Sequence, residues 1–275
     1  MTAAIESEVL HPGPYASTAP SESARLERRL SVLLSAVAGL VDVIGFLSLG
    51  LFTAHVTGNL VVIAALLVWG GPPNLAQVLA VPVFAAEVAA VWLIAKAMGR
   101  RGAALARPLL LIQFLLLTCV LALSVIFNPA ANRHGFVAVV VAMIAVAAMA
   151  CQFSLLRLAM PGTPSTAVMT GNLTNAVLSL MDMLSPSRPL TEGIDERLKN
   201  TLKVFAGFFA GCLAGAAAVS FLGAWAWSIP VALAGVSVKC FRFGLLDKER
   251  STNGKETECS GLSRRAELMV SGPPT

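Results

Sequence analysis

A short polar phrase occurs twice in this otherwise apolar chain, and its side chains are well suited to hold a small ligand. The two copies are Thr57-Gly58-Asn59-Leu60 and Thr170-Gly171-Asn172-Leu173. Glycine has no Cβ, so it permits a chain break or a close approach of two backbones. The threonine hydroxyl and the asparagine amide can hydrogen-bond the backbone groups that a break exposes. A short helix that begins at each copy would offer N–H groups to an anion or a carboxylate, whereas simple helix capping is the structural alternative.

Three titratable side chains lie in or beside apolar segments. Asp42 and Glu87 stand about a dozen residues into their segments, which places each near the middle of a bilayer at 1.5 Å per residue. An unpaired charge there costs at least about 2.5–3.5 kcal/mol, so we expect each carboxyl group to face the helix bundle and to have a partner or a proton. Each carboxylate can couple a proton or cation, or contact a substrate; a hydrogen bond between helices is the structural alternative. His55 can relay a proton near neutral pH or cap the following helix.

Weaker polar candidates and the absence of catalytic motifs limit the chemistry further. Gln113 and Gln152 can add to the polar lining of a site, and Arg157 can meet an anionic group or extend to the membrane interface. No second histidine or cysteine lies at zinc-ligand spacing, so we expect neither a metal nor another cofactor. The sequence has no Walker-type loop, no Gly-x-Ser-x-Gly elbow and no His-Glu-x-x-His, and we expect no enzyme activity. A catalytic dyad of Asp42 and Glu87 would require the two carboxyl groups to approach closely.

Membrane helices are the elements that must position these residues. The chain is 56% hydrophobic and 13% charged, whereas a soluble domain is about a quarter charged. Most of its apolar segments are apolar on every side, which excludes soluble amphipathic helices, and strands of alternating pattern are absent. The sequence therefore predicts an all-α polytopic membrane protein. The predicted segments are 30–52, 55–70, 76–98, 108–127, 136–159, 166–184, 203–222 and 225–241.

The positions of lysine and arginine discriminate between two topologies. Basic residues cluster at 25–29, at 96–107, at 188–203 and from Lys239 onward, and Arg133 stands alone. If all eight segments cross the membrane with the N-terminus inside, the cluster at 96–107 falls outside, against the positive-inside rule. If the two Thr-Gly-Asn segments instead enter and leave on one side, six full spans remain and every cluster lies in the cytoplasm. We favour six spans with two re-entrant or broken helices, and eight crossings in a parallel duplication stay the alternative.

The favoured topology predicts a duplicated and inverted repeat, because the first spans of the two units then run in opposite directions. We expect disordered cytoplasmic tails at 1–28 and 242–275, and a transmembrane domain at 29–241. Within that domain the predicted parts are repeat unit one (about 30–98), a connector helix (108–127), repeat unit two (about 136–222) and a last helix (225–241).

Further runs in both units carry a family resemblance. The first unit contains Gly39-Leu-Val-Asp42, Phe46-Leu-Ser-Leu-Gly50 and His55-Val-Thr-Gly-Asn-Leu60. The second contains Cys151-Gln152, Arg157 and the stretch from Thr166 to Leu173. Over roughly residues 30–240 these runs resemble the YoaK-like family of bacterial inner-membrane proteins. The resemblance implies a polytopic bacterial membrane protein of about six spans, and it implies no substrate because the function of that family is unknown.

The function that these features favour is a secondary transporter or channel for a small solute, within the lipid bilayer. The expected lining of a polar site near the midplane is Asp42, His55, Thr57, Gly58, Asn59, Glu87, Gln152, Thr170, Gly171 and Asn172. Gly207, Gly211 and Gly215 repeat at four-residue spacing and predict either an internal helix contact or a homo-oligomer contact. A nucleic-acid partner is not expected, since no basic cluster alternates with aromatic residues. A membrane scaffold or accessory subunit is the second hypothesis, and a membrane-embedded enzyme is the third.

Overall fold

The computed structural model describes residues 22–71, 73–99, 103–160, 169–184 and 194–241. Within these ranges the chain forms α-helices and two short 3-10 helices, with no strand, which confirms the prediction of an all-helical protein. The α-helices are α1 (Glu22–Leu49), α2 (Gly58–Trp69), α3 (Leu75–Ala97), α4 (Ala103–Phe127), α5 (Phe136–Ala159), α6 (Met169–Leu184), α7 (Ile194–Leu222) and α8 (228–241). The 3-10 helices are Pro129–Ala131 and Gly223–Trp227.

Local signals explain several of these boundaries. α2 ends where Gly70 takes φ 79° and donates its N–H to the Leu66 carbonyl, a left-handed glycine cap. α3 begins where the Asn74 side chain accepts the Ala76 N–H, an ordinary N-cap. α7 begins at Ile194, earlier than the predicted start at 203. Its first turns are rich in helix-forming residues, but they are polar, so hydropathy does not mark them. α1 begins at Glu22, inside the predicted N-terminal tail; the remainder of both predicted tails lies outside the described residues.

In the described part of the chain, five stretches of helix are long and apolar enough to cross a membrane, so the chain is an integral membrane protein. One of them, Leu198–Phe241, has 44 residues and would extend about 66 Å as a straight helix, twice the thickness of a hydrocarbon core. The 3-10 helix Gly223–Trp227 divides it, and Gly223 has a φ of 56° that turns the chain. Helices α7 and α8 are therefore separate helices.

Helices α1 and α7 pack side by side and run in the same direction. Three glycines of α7 face successive turns of α1, and the pairs are Gly207 with Val32, Gly211 with Ala36, and Gly215 with Leu40. At Gly211 an added Cβ would overlap the carbonyl oxygen of Ala36, so only glycine fits this approach. The glycine repeat thus makes an internal contact, one of the two alternatives that the sequence left open.

α3 begins beside the end of α1. The Asn74 Nδ2 donates to the Leu49 carbonyl at 3.3 Å, and the Gln77 Nε2 donates to the Gly50 carbonyl at 2.7 Å. The connection between α4 and α5 reaches the same end, since the Arg133 guanidinium donates to the Leu47 carbonyl at 2.7 Å. The chain that leaves α1 at Gly50 therefore returns to the same end of the bundle before α3 starts.

At the opposite end of the bundle lie the start of α1, the start of α7 and the end of α8. Arg28 and Glu196 form an ion pair of 2.6 Å there. Phe241 and Met160 share an apolar cluster with Leu30, so α5 and α8 both end at this level. α5 is the central helix: it packs against α1, α3 and α4.

Candidate functional site

The segment between α1 and α2, residues 50–57, is called the break, and it folds back along the last turns of α1. Gly50 ends α1 with φ 78°, and its N–H donates to the carbonyls of Gly45 and Phe46, both at 3.1 Å. The chain then descends beside the helix that it has just left. Gly45 allows this return, because a Cβ at that position would lie 2.8 Å from the Thr53 Cγ2. The Thr53 hydroxyl donates to the Val41 carbonyl at 3.1 Å and thereby fixes the returning segment against α1.

Asp42 receives the returning chain. It lies seven residues before the end of α1 at Leu49, about 10 Å along the helix, and its residue is only 5% exposed. Its Oδ1 accepts the backbone N–H groups of Thr53, Ala54 and His55, at 2.9, 2.9 and 3.3 Å. Three successive N–H groups around one oxygen form an anion-binding concavity of the kind that backbone nests make. The anion that occupies this concavity is the protein's own carboxylate.

His55 completes the coordination of Asp42. The Asp42 Oδ2 lies 2.7 Å from the His55 Nδ1. The imidazole ring also packs edge-on against Phe208 of α7, with ring centroids 5.1 Å apart. The carboxylate therefore sets the orientation of the ring, and α7 supports the ring on its other side.

The Asn59 side chain binds the backbone of the break. Its side chain is fully buried, its Oδ1 accepts the Phe52 N–H, and its Nδ2 donates to the Phe52 carbonyl, both at 2.8 Å. Gly58 lies against the Phe52 ring, where an added Cβ would be 2.9 Å from Cδ2. Two members of the first polar phrase thus have structural contacts that their residue types explain.

Thr57 does not cap α2, the structural alternative that the sequence left open. It stands at the N-cap position of α2, but its side chain makes no cap hydrogen bond and is exposed. The first N–H groups of α2 are instead bonded in 3-10 fashion, from Gly58 to the His55 carbonyl at 2.8 Å and from Asn59 to the Val56 carbonyl at 3.2 Å. These N–H groups are therefore already bonded within the chain and are not open to an external anion.

A pocket of about 380 Å³ opens beside the Asp42–His55 pair. We call it the break pocket; its lining residues are Asp42, Val43, Phe46, Leu47, Phe52, His55, Phe208 and Cys212. The rings of Phe46 and Phe52 stack with centroids 4.7 Å apart on one side of it. α1, the break and α7 thus each contribute a wall, and an acid and an imidazole are its polar groups.

The geometry assigns roles to the two ring nitrogens of His55. With Asp42 as a carboxylate, Nδ1 carries the proton of the 2.7 Å contact, and in the neutral ring Nε2 then holds the lone pair. Among the described residues no hydrogen-bond donor or acceptor contacts this Nε2, and the His55 side chain, which lines the pocket, is 28% exposed. The pair can therefore accept a hydrogen bond or a proton from a molecule in the break pocket.

Glu87 and Gln152 have partners other than those of Asp42. The Glu87 Oε1 accepts the Cys151 thiol at 3.5 Å, between α3 and α5. Gln152 is fully buried; its Oε1 accepts from the Gln113 Nε2 at 2.6 Å, and its Nε2 donates to the Leu34 carbonyl at 2.9 Å. Gln152 stands seven residues before the end of α5, as Asp42 does in α1. Neither Glu87 nor Gln152 lines the break pocket.

The second polar phrase begins α6, as the sequence predicts for a short helix. Thr170 is exposed, Gly171 is half-buried and Asn172 is buried, with its Nδ2 3.9 Å from the Met169 Sδ. Thr166 and Val168, which belong to the same stretch of sequence, lie outside the described residues. α6 packs against α7, whereas α2 packs against α3.

Among the residues of the site that were not predicted from the sequence are Phe52, Thr53, Phe208 and Cys212. Phe52 and Thr53 had a signal, since they lie inside the break between the Gly50 cap and His55. Cys212 is adjacent to Gly211, so the glycine face of α7 indicated its neighbourhood. Nothing in the sequence indicated that Phe208 would meet His55, because that contact joins residues far apart in the chain.

Comparisons with known proteins give a family and nothing narrower. The profile of a family described as "Protein of unknown function (DUF1275)" matches residues 30–239. No curated protein and no solved structure matches this chain. In the part of the chain that the structure describes, no group of three histidine, cysteine or acidic side chains could hold a metal ion.

Proposed function

This chain belongs to the DUF1275 family of proteins of unknown function, and we propose that it is a small secondary transporter or channel whose substrate site is the break pocket. The observation that carries the proposal is a buried carboxylate, Asp42, held by three backbone N–H groups and by His55 at the wall of a pocket within apolar helices. Of the residues that the sequence predicts for the site, Asp42 and His55 contact the substrate in this proposal, and Asn59 positions the break.

The energetics of the membrane interior support this role. A carboxylate within a spanning helix costs several kcal/mol unless it is paired, and such residues usually mark a pathway or a coupling site. Irregular backbone at membrane depth is tolerated where it is buried in protein or lines a cavity. Residues 50–57 meet both conditions, because their backbone is bonded to Asp42 and Asn59, and Phe52 and His55 line the break pocket.

We further propose six spans, with both termini in the cytoplasm of a bacterial inner membrane. The contacts of Asn74 and Gln77 with the end of α1 support a re-entrant first break. The Arg28–Glu196 contact supports a second break that enters from the opposite end. An inverted repeat relates α1, α2 and α3 to α5, α6 and α7 in this proposal. It is supported by the packing of α1 on α7 and of α3 on α5, which such a symmetry exchanges.

Flux through proteoliposomes tests the function. Vesicles with the purified protein are loaded with a pH-sensitive dye, and shrinkage and pH are followed after addition of a panel of small neutral, acidic and basic solutes. We expect one solute class to cross at least about tenfold faster than through empty vesicles, and Asp42→Asn and His55→Phe to remove that flux.

Glu196→Gln is the matched control for these two variants. It also removes a carboxylate, but from an ion pair whose side chains are 37% and 56% exposed, outside the break pocket. It should leave the flux unchanged. Absence of flux for every solute class with folded wild-type protein would contradict the transporter proposal, and so would flux that Asp42→Asn does not alter.

A further inference from the structure

The lining of the break pocket restricts what can occupy it. Val43, Phe46, Leu47, Phe52 and Phe208 present hydrocarbon, and Cys212 presents a thiol. Three of these are aromatic rings, which bind flat apolar surfaces through stacked or edge-on contacts. A volume of about 380 Å³ lies at the lower end of the range for drug-sized ligands, so the space suits one or two fused rings.

The polar groups of the pocket restrict the occupant further. Asp42 has its Oδ1 bonded to three N–H groups and its Oδ2 bonded to His55, so its oxygens are engaged. The His55 Nε2 remains as one acceptor on an otherwise apolar wall. A sugar or another polyhydroxyl solute would leave most of its hydroxyl groups without partners there, and each such group carries a desolvation penalty. The lining matches an occupant with one hydrogen-bond donor.

One wall of the pocket is exposed at the outside of the helix bundle. Phe46 and Leu47 are 41% and 38% exposed, although they stand on a spanning helix. In a bilayer, such an exposed apolar wall would give a ligand of low polarity a route from the acyl chains.

From these observations we infer that the break pocket takes a small aromatic molecule with a single hydrogen-bond donor, a compound of the phenol class, which donates to the His55 Nε2 and enters from the lipid side. The inference rests on the proposed function, because it names the substrate class of the same site. It replaces a generic small solute by a membrane-partitioning aromatic alcohol.

Protection of Cys212 from alkylation tests the inference without any assumption about transport. Cys119, Cys151, Cys240 and Cys259 are replaced so that Cys212 is the single cysteine, and the alkylation rate with N-ethylmaleimide is measured in nanodiscs. The probes are 1-naphthol, naphthalene and glycerol. We expect 1-naphthol to slow the alkylation at a concentration at least about tenfold lower than naphthalene, and glycerol to have no effect.

Two matched controls make the result specific. A single-cysteine protein that retains Cys119, exposed on α4 away from the pocket, should be alkylated at the same rate with every probe. His55→Phe keeps an aromatic ring but removes the acceptor, so 1-naphthol and naphthalene should then protect Cys212 equally. His55→Gln keeps a hydrogen-bonding side chain and should preserve part of the preference, which separates loss of the acceptor from loss of the fold.

Several outcomes would overturn the inference. Equal protection by naphthalene and 1-naphthol in the wild-type pocket would show that the acceptor is not used. Protection by glycerol without protection by 1-naphthol would assign the pocket to a polar solute; with flux of that solute, transport would stand and this inference would fail. Protection by 1-naphthol without flux of any solute class would support the ligand class and reject transport.

Discussion

Phe52 and Asn59 are joined by two hydrogen bonds of 2.8 Å, in which the asparagine side chain accepts the phenylalanine N–H and donates to its carbonyl. A single amide side chain thus satisfies both backbone groups of a residue that no helix or strand supports. The contact closes the irregular segment into a loop whose other residues, from Thr53 to His55, are presented to Asp42. Asn59 positions the site without contacting the break pocket.

Asn59→Ala should destabilise the protein by about 2–4 kcal/mol, because it leaves the half-buried N–H and carbonyl of Phe52 unpaired. The measurement is the free energy of unfolding in an SDS titration of the protein in mixed micelles. Asn175→Ala is the matched control, since Asn175 is exposed on α6. Equal stability of the two variants would contradict the positioning role of Asn59.

Gly211→Ala should destabilise the contact between α1 and α7 by about 1–3 kcal/mol or more, because the new methyl group would overlap the Ala36 carbonyl oxygen. Gly215→Ala should cost less, since the nearest atom there is 3.1 Å from the added Cβ. Thermal unfolding of both variants in detergent checks the order. Ala214→Val, on the exposed side of the same helix, adds volume away from α1 and should unfold like the wild type. A Gly211→Ala protein as stable as that control would refute the close packing.

Gln113 and Gln152 should behave as a coupled pair. Gln152→Met removes the acceptor of the 2.6 Å bond from Gln113 and the donor to the Leu34 carbonyl, and should cost about 1–3 kcal/mol. The double variant Gln113→Leu/Gln152→Met should cost less than the sum of the single variants, by about 0.5–3 kcal/mol. Unfolding free energies of the four proteins give this coupling. As a control, the effects of Gln113→Leu and Asn175→Ala on the unfolding free energy should add. If the effects of Gln113→Leu and Gln152→Met also add, the bond between the two glutamines is contradicted.

Cysteine labelling should place the two ends of α4 on opposite sides of the membrane. In a cysteine-free background, Asn132→Cys should react with a membrane-impermeant maleimide added to intact cells, because its connection packs at the end where α1 finishes. Ala104→Cys, at the other end of α4, should react only after the membrane is permeabilised. Labelling of Ala104→Cys in intact cells would reject the six-span topology and favour eight crossings.

The sequence predicted the helices well because their causes are local. Apolar runs of the right length specify most helices. For α2, the first polar phrase marks the start and Gly70 marks the end within a few residues. The largest difference is the start of α7 at Ile194, where polar residues conceal a helix that continues beyond the apolar run. The spacing of Gly207, Gly211 and Gly215 also predicted a close contact, although not its partner.

The partners of the buried polar groups depended on the tertiary structure. Sequence alone marked Asp42 as a residue that requires a partner, since a carboxylate in an apolar helix is too costly by itself. Only the return of the chain after Gly50 decided that Thr53, Ala54 and His55 would be those partners, while Glu87 met Cys151 on another pair of helices. Hydropathy and helix propensity act over a few neighbouring residues, whereas the identity of a contact depends on how distant helices pack. The break pocket, formed by α1, α7 and the chain between α1 and α2, exists only as a result of that packing.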